Sequence, residues 1–358
     1  MHRLDFHVTG SAEPRPPSRA TIFCDGTGGA AFRDGVDVEL SHWIPNRTPP
    51  RFRADSSTEI CLKFAAEGMS RAWDLAVNNH LDVDGILSMF AVVQPAAALA
   101  RRDTLVGAAE MGDFAAWAEE PSQALYQGLT LVIDECNAAG VDVLAAYRRA
   151  FDAVAPLADG GAAHDPRVRP GLAALAASAA LLDSGAVAVK DQGPRFAAFE
   201  VPRAVSRDAF DRALHVPGFN EALSNRALLW PQARARDRGS SVHLVSVEAP
   251  GGWYHDLWYP GYCWAETHRR PAAPGLVLRG DVQHLAHAGL AAAAADLARD
   301  EHAAGAWKLA SAVSAFDGLK GRGFPVVMSF VGADDRPAVS AIPPGDVAAR
   351  LAAAYSIR

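Results

Sequence analysis

The stretch VNNHLDVDGILSM, residues 77–89, decides how this chain is read. Ahead of it runs a short apolar segment, DLAVNN. Behind it GILSMFAVVQPAAALARR continues as a helix that Pro95 breaks or kinks. Between the two stand His80, Asp82 and Asp84 at alternate positions. Strand, acidic turn, helix is the repeating unit of an open α/β sheet, where ligands collect at the carboxyl ends of the strands. A carboxylate there also gains from the positive end of the following helix, which favours its ionised, ligating form. Taken singly, Asp82 and Asp84 read as a cap and a turn residue. Crowded together beside His80 they repel one another unless a cation neutralises them. One imidazole with several carboxylates suits Mn²⁺, Mg²⁺ or Fe²⁺ better than a structural zinc.

Working outward, ATIFCDGTGG reads as a buried strand ending in a glycine-rich loop. Asp25 and its glycines can form a nest of backbone N–H groups for a phosphate or metal, or simply a turn. The phrase resembles a haloacid-dehalogenase nucleophile loop, but Phe23 stands where the nucleophilic Asp belongs, which excludes that chemistry. VDVELSHW is a further strand candidate. The loop after it carries His42, Asn46 and Arg47, with Arg47 suited to a substrate phosphate or carboxylate. ADSSTEICLKFAAEGMSRA reads as a helix capped by Ser56 or Ser57, with Glu59 in its first turn. DTLVGAAEMGDF reads as another apolar strand stopping at an acid, Asp113. Helices are expected over SQALYQGLTLVIDECNAAG, although LTLVID alone could pass for a strand, over 141–157 and over 171–182.

After Gly185 the texture turns strand-like, in VAVK, RFAAFEVP, SSVHLVSVEA, WYHDLWYPGYCWAE and PVVMSFVG. The expected organisation is a flexible N-terminus at 1–19, an α/β domain with a metal site at 20–185, and a smaller mixed α/β domain at 186–358 that holds substrate. Candidates in the second half are His255 in an aromatic stretch, Arg269 and Arg270, and His284 and His287, three apart on an expected helix face. The arginines at 234, 236 and 238 either build a local basic pocket or form a solvated loop.

A net charge of −7 argues against a protein that coats long nucleic acid. The four cysteines, at 24, 61, 136 and 263, form no CxxC pair, which fits a reducing cytoplasm. Neither a signal peptide nor a membrane span is legible, and a homodimer is compatible with this picture.

NNHLDVDGILS is similar to the first motif of the DHH phosphoesterase superfamily: strand, His-x-Asp-x-Asp-Gly, then a helix with a small or hydroxyl residue in its first turn. His80, Asp82, Asp84, Gly85 and Ser88 match it position by position. The resemblance implies that the histidine and both acids bind a pair of Mn²⁺ ions, bridged by an Asp at the end of the next strand, here Asp113. It also implies a two-domain layout and metal-dependent hydrolysis of a small nucleotide or other phosphorylated metabolite. Asp84 and Asp113 are then catalytic, one or two ions are the cofactor, and Arg47, Asp25, His255 and Arg269 face the anionic substrate. Two departures stand out. No Asp-His-His triplet exists, Asp134 in VIDECN being the nearest analogue, and the family's GGGH motif is absent. The alternatives are a non-catalytic binding protein on a degenerate DHH fold, or another metal-dependent reaction such as amide hydrolysis or oxygenation.

Overall fold

The computed structural model describes residues 4–67, 73–193, 195–239, 241–268, 275–280, 282–315 and 318–355. The chain forms two compact units. The first is Met1–Leu172 with Asn220–Leu223 and Ala265–Arg269; the second is Ala173–Phe219, Ser224–Trp264 and Arg270–Arg358.

The first unit is built on four short strands, β1 (Asp5–Val8), β2 (Thr21–Cys24), β3 (Val38–Leu40) and β4 (Leu75–Asn78). They lie in the order β1-β4-β2-β3, all parallel. The edge strand β1 comes from the segment expected to be flexible: Asp5–Val8 pair residue for residue with Leu75–Asn78. Prolines and arginines at 14–19 dominate the composition of that segment and hide the buried pair His7 and Val8. Phe23, Leu75 and Val77 form a small apolar cluster joined by Phe32.

The helices of this unit are α1 (Ser57–Ala66), α2 (Val83–Val93), α3 (Pro95–Leu99), α4 (Arg102–Asp113), α5 (Glu120–Ala138) and α6 (Val143–His164); α7 (Arg169–Asp183) runs from one unit into the next. The central helix α2 packs on β1, β2 and β4 as well as α1, α4 and α6, and every residue from Val83 to Val92 is buried. Apart from Asp84 and Ser88 the helix is apolar on every side, as such enclosure requires. It ends at Val93, and Pro95 opens α3 from its first turn, where a missing N–H costs nothing.

DTLVGAAEMGDF is a helix rather than a strand. Its buried residues Leu105, Ala108, Ala109 and Met111 follow helical spacing, and Asp113 closes α4. Gly107 and Gly112, which obscure that periodicity, mark close approaches. A Cβ on Gly107 would lie 2.5 Å from the Ser122 hydroxyl, and one on Gly112 would lie 2.1 Å from Asn220 Oδ1.

The second unit contains β5 (Ala188–Asp191), β6 (Phe196–Val201), β7 (Val242–Ala249), β8 (Gly252–Trp258), β9 (Leu276–Arg279), β10 (Val282–Leu285), β11 (Ala306–Leu309), β12 (Ala312–Val313) and β13 (Val326–Val331). Six of these make a mixed sheet, β11-β13-β8-β7-β6-β5, in which only β6 and β7 run parallel; the rest form a small antiparallel sheet, β12-β10-β9. Its helices are the short turns α8 (Arg203–Ser206) and α9 (Phe210–Ala213), then α10 (Pro231–Ala235), α11 (Ala288–Asp300) and α12 (Pro344–Tyr355). His284 and His287 do not share a helix face: His284 lies in β10, and His287 is the N-cap of α11, its Nδ1 accepting from Leu290 N–H at 3.2 Å. Among the described residues no helix is long and apolar enough to cross a membrane.

Candidate metal centre

Three adjacent parallel strands end at one place, and each delivers ligating side chains in the residues that follow it. Asp25 comes directly after β2, His42 two residues after β3, and His80 and Asp82 just after β4. Asp84 arrives on the first turn of α2 and Asp113 on the last residue of α4. Asp25 stands at φ 48°, a left-handed conformation that Asp tolerates better than most residues.

Two groups of side chains here can hold a metal ion: Asp25, His80 and Asp82, and Asp25, His42 and Asp84, with the ligand atoms of each group within 4.8 Å of one another. Asp25 belongs to both. Its Oδ2 lies 2.9 Å from His80 Nε2, and its Oδ1 accepts from the Trp43 indole N–H at 3.0 Å and lies 3.6 Å from His42 Nε2. Asp82 divides its oxygens: Oδ1 caps α2 by accepting from Gly85 N–H at 2.7 Å, and Oδ2 lies 3.2 Å from His80 Nε2. Gly85 is required here, since a Cβ would come within 2.9 Å of Asp82 Oδ1 and 2.6 Å of Asn78 Nδ2.

Asp84 caps a different helix. Its oxygens accept from Ser57 N–H and Thr58 N–H, both at 2.8 Å, satisfying two of the donors left open at the start of α1. Asp84 Oδ2 and Asp113 Oδ2 lie 3.7 and 3.3 Å from His42 Nε2, and Asn220 Nδ2 donates to Asp113 Oδ1 at 3.4 Å.

Outer contacts fix both imidazoles. His42 Nδ1 lies 2.7 Å from the Asp55 carbonyl, which only accepts, so Nδ1 carries a proton and Nε2 is the nitrogen turned toward the carboxylates. His80 Nδ1 meets Asn79 Oδ1 at 2.8 Å, and Tyr147 O–H donates to the His80 carbonyl at 2.9 Å. Metal-binding histidines are usually held this way, by the nitrogen that does not ligate.

The electrostatics follow from four buried carboxylates set close together. Burial, then the Asp25 charge, pushes Asp84 up to about 6. Burial, then Asp84, Asp82 and Asp25, drives Asp113 well above the usual carboxylate range. Burial also works against charge on Asp25, but His80, with help from His42 and Ser57, holds it below that range. His80 shows the converse: burial opposes its protonation, yet Asp82 and Asp25 raise it well above an ordinary imidazole. Burial and mutual repulsion of the carboxylates thus raise Asp84 and Asp113, while attraction between His80 and Asp25 shifts both toward their charged forms.

Beside the cluster lies a cavity of about 400 Å³. Cys24 and Gly26, which flank Asp25, line it together with Arg15, Phe23, Asn78 and Asn79. Arg15 is half-buried and donates to Thr21 Oγ1 at 3.0 Å.

Of the residues singled out from sequence, His80, Asp82, Asp84, Asp113 and Asp25 come together. Arg47 is half exposed, its guanidinium 4.8 Å from the Phe32 ring centroid and 3.8 Å from Glu39 Oε2. His255 belongs to the second unit, where Nδ1 meets Ser246 Oγ at 2.9 Å and Nε2 donates to the Ile342 carbonyl at 3.0 Å. Asp134 is exposed on α5. Arg269 and Arg270 lie outside the described residues. Sequence reasoning placed His42 in the loop that carries Arg47 without naming it a ligand, and gave Asp25 the role of a nest or a substrate contact. Their positions directly after two strands parallel to the His80 strand were the available signal.

Fold and cluster together define an α/β protein with an acidic, histidine-bearing centre at the carboxyl edge of a parallel sheet. Residues 8–355 match the model of DUF6687, a family of unknown function, and the chain belongs to that family. No curated protein and no solved structure matches the chain significantly.

Proposed function

We propose that this chain is a divalent-metal-dependent hydrolase acting on a small phosphoester, and a diverged relative of the DHH phosphoesterases. The observation that carries the reading is the sharing of Asp25 between two ligand groups, each with its own histidine held from behind. Two imidazoles among four carboxylates suit Mn²⁺, Mg²⁺ or Fe²⁺. The first group would hold an ion through His80, Asp82 and Asp25, and the second through His42, Asp84 and Asp25. Asp25, common to both groups, would then take the part that the resemblance gives to Asp113, which stands next to His42 without belonging to either group.

A divalent ion bound there supplies a Lewis acid and water acidic enough to attack at neutral pH. The protein contributes the rest. Asp113, whose Oδ2 lies 3.3 Å from His42 Nε2, would serve as general base once a bound cation offset the burial and the repulsion of Asp84, Asp82 and Asp25 that keep it protonated. Arg15 and the polar wall of the adjacent cavity hold the substrate's anionic part, and a volume of about 400 Å³ suits a small metabolite. The four cysteines are free and buried, in keeping with a cytoplasmic enzyme.

A second reading, a protein that holds the ion structurally, draws on the burial of the cluster: Asp25, His42 and Asp84 are at most 1 % exposed. His80, with 24 % of its side chain exposed, is the point of access. The test is a screen of small phosphomonoesters and diesters with Mn²⁺, using the full chain and Asp113→Asn. Turnover that falls at least about a hundredfold in the variant, while metal stays bound, supports the hydrolase. Metal retention with no turnover in either protein supports the structural reading instead.

A further inference from the structure

The second unit carries a polar cluster of its own, built around the arginine run. Arg236 pairs with Asp183, and Arg238 Nε donates to Asp191 at 2.7 Å, so both are ordinary surface partners. Arg234 instead turns inward from α10. It is 2 % exposed, with its guanidinium 4.1 Å from the Trp258 ring centroid and 6.0 Å from that of Phe199. Ring faces attract the cation but do not replace an oxygen acceptor, and Nε and Nη1 of Arg234 have no hydrogen-bond partner among the described residues.

Strand register places two more such groups nearby. Asp256 and Trp258, two residues apart on β8, share a face of the sheet, and Ser329 of β13 stands opposite Asp256. The Trp258 indole N–H and the Ser329 hydroxyl are likewise buried and without partners among the described residues. Unsatisfied donors thus come from a helix and two adjacent strands on the sheet face that carries Asp256.

That carboxylate is already engaged. Arg322 donates to Asp256 Oδ1 from Nε at 3.1 Å and to Oδ2 from Nη2, and both side chains are at most 10 % exposed. His243, directly opposite Trp258 on β7, is held neutral, its pKa brought down to about 3 by burial and then by Arg234. Two guanidinium groups therefore draw on a single carboxylate, and the Trp258 ring face offsets only part of the remaining buried positive charge. A buried charge in that state is strongly destabilising unless a counter-ion joins it. Burial accordingly lowers the pKa of Arg234 to about 9, with only partial relief from Asp256.

We infer that this face of the second unit binds a small oxyanion, a carboxylate or phosphate group, through Arg234, Trp258 and Ser329. One negative charge balances the excess, and several oxygens use donors that a single halide leaves open.

The test is thermal unfolding of the chelator-treated full chain at constant ionic strength, titrated with inorganic phosphate, sodium acetate or sodium chloride. A saturable rise in Tm with phosphate or acetate, at concentrations about tenfold below any chloride effect, is expected. The stronger of the two identifies the anion class. Arg234→Met abolishes the rise and melts no lower than the native protein without anion, because it removes a buried unpaired charge. Ser329→Ala and Trp258→Phe, each removing one donor, weaken the half-saturating concentration about tenfold. A saturable response that persists in Arg234→Met, or an equal response to chloride, overturns the inference. If Arg234→Met does not fold, unchanged affinity in both Ser329→Ala and Trp258→Phe overturns it equally.

Discussion

His42 donates its Nδ1 proton to the Asp55 carbonyl at 2.7 Å, and that bond decides what its other nitrogen faces: three carboxylates between 3.3 and 3.7 Å away. Asn79 does the same work for His80 from an exposed position. Asn79→Ala should therefore lower Mn²⁺ affinity about tenfold or more, since outer contacts of ligating histidines carry effects of that size. Its unfolding free energy should stay within about 0.5 kcal/mol of the native value, as expected of a surface change. Isothermal titration and denaturant unfolding of the same preparation check both halves. Equal affinities would remove Asn79 from the account. At this scale the sequence was informative where ligands are neighbours: His80, Asp82 and Asp84 announce themselves by spacing alone. His42 and Asp25 meet them only through strand pairing, which a local pattern does not contain.

Asp84 ties two helices together. It sits in the first turn of α2, while its oxygens hold the first amides of α1. Asp84→Ala is expected to speed hydrogen exchange at Ser57 and Thr58 about tenfold or more, the cost of leaving two buried donors open, while Asp84→Asn, which keeps one acceptor, gives an intermediate rate. Unchanged exchange at those amides would show that the cap is dispensable. Elements were legible wherever the periodicity was clean. Ser56 accepts from Glu59 N–H at 3.2 Å to cap α1, as the spacing of serines and glutamate suggests, and Pro95 separates α2 from α3. Reading failed where glycine interrupts a helix for packing reasons, as in α4, and where two histidines three apart belong to different elements, as in β10 and the cap of α11.

At the scale of the whole molecule, the α/β class follows from the strand, acidic turn and helix unit, whereas the parallel order β1-β4-β2-β3 depends on an edge strand hidden in a proline-containing N-terminus. Acid should act on the second unit through its buried histidines. Burial brings His243 down to about 3 and His255 to about 4, so the folded state takes up fewer protons than the unfolded one between those values and about 6.5. Their contribution is complete above pH 6.5 and is lost as pH falls through that window, a change on the order of 5 kcal/mol by pH 4.5. Tm measured across this range should fall on acidification, less steeply in His243→Gln. A slope unaltered by that substitution would show that His243 is not part of the effect. Metal should act on the first unit: Mn²⁺ at a hundredfold excess over its Kd adds about 2.7 kcal/mol. Amide protection in α1 and α2 should rise with it.

A metal centre built on Asp25, His42, His80, Asp82 and Asp84 should hold its ion through dialysis only while these side chains are intact. The native chain and an Asp25→Ala/His80→Ala variant, dialysed against Mn²⁺ and then against metal-free buffer, are compared by elemental analysis, with circular dichroism confirming that both are folded. At least stoichiometric metal in the native chain and its loss in the folded variant is the predicted result. Equally low metal in both would contradict the account.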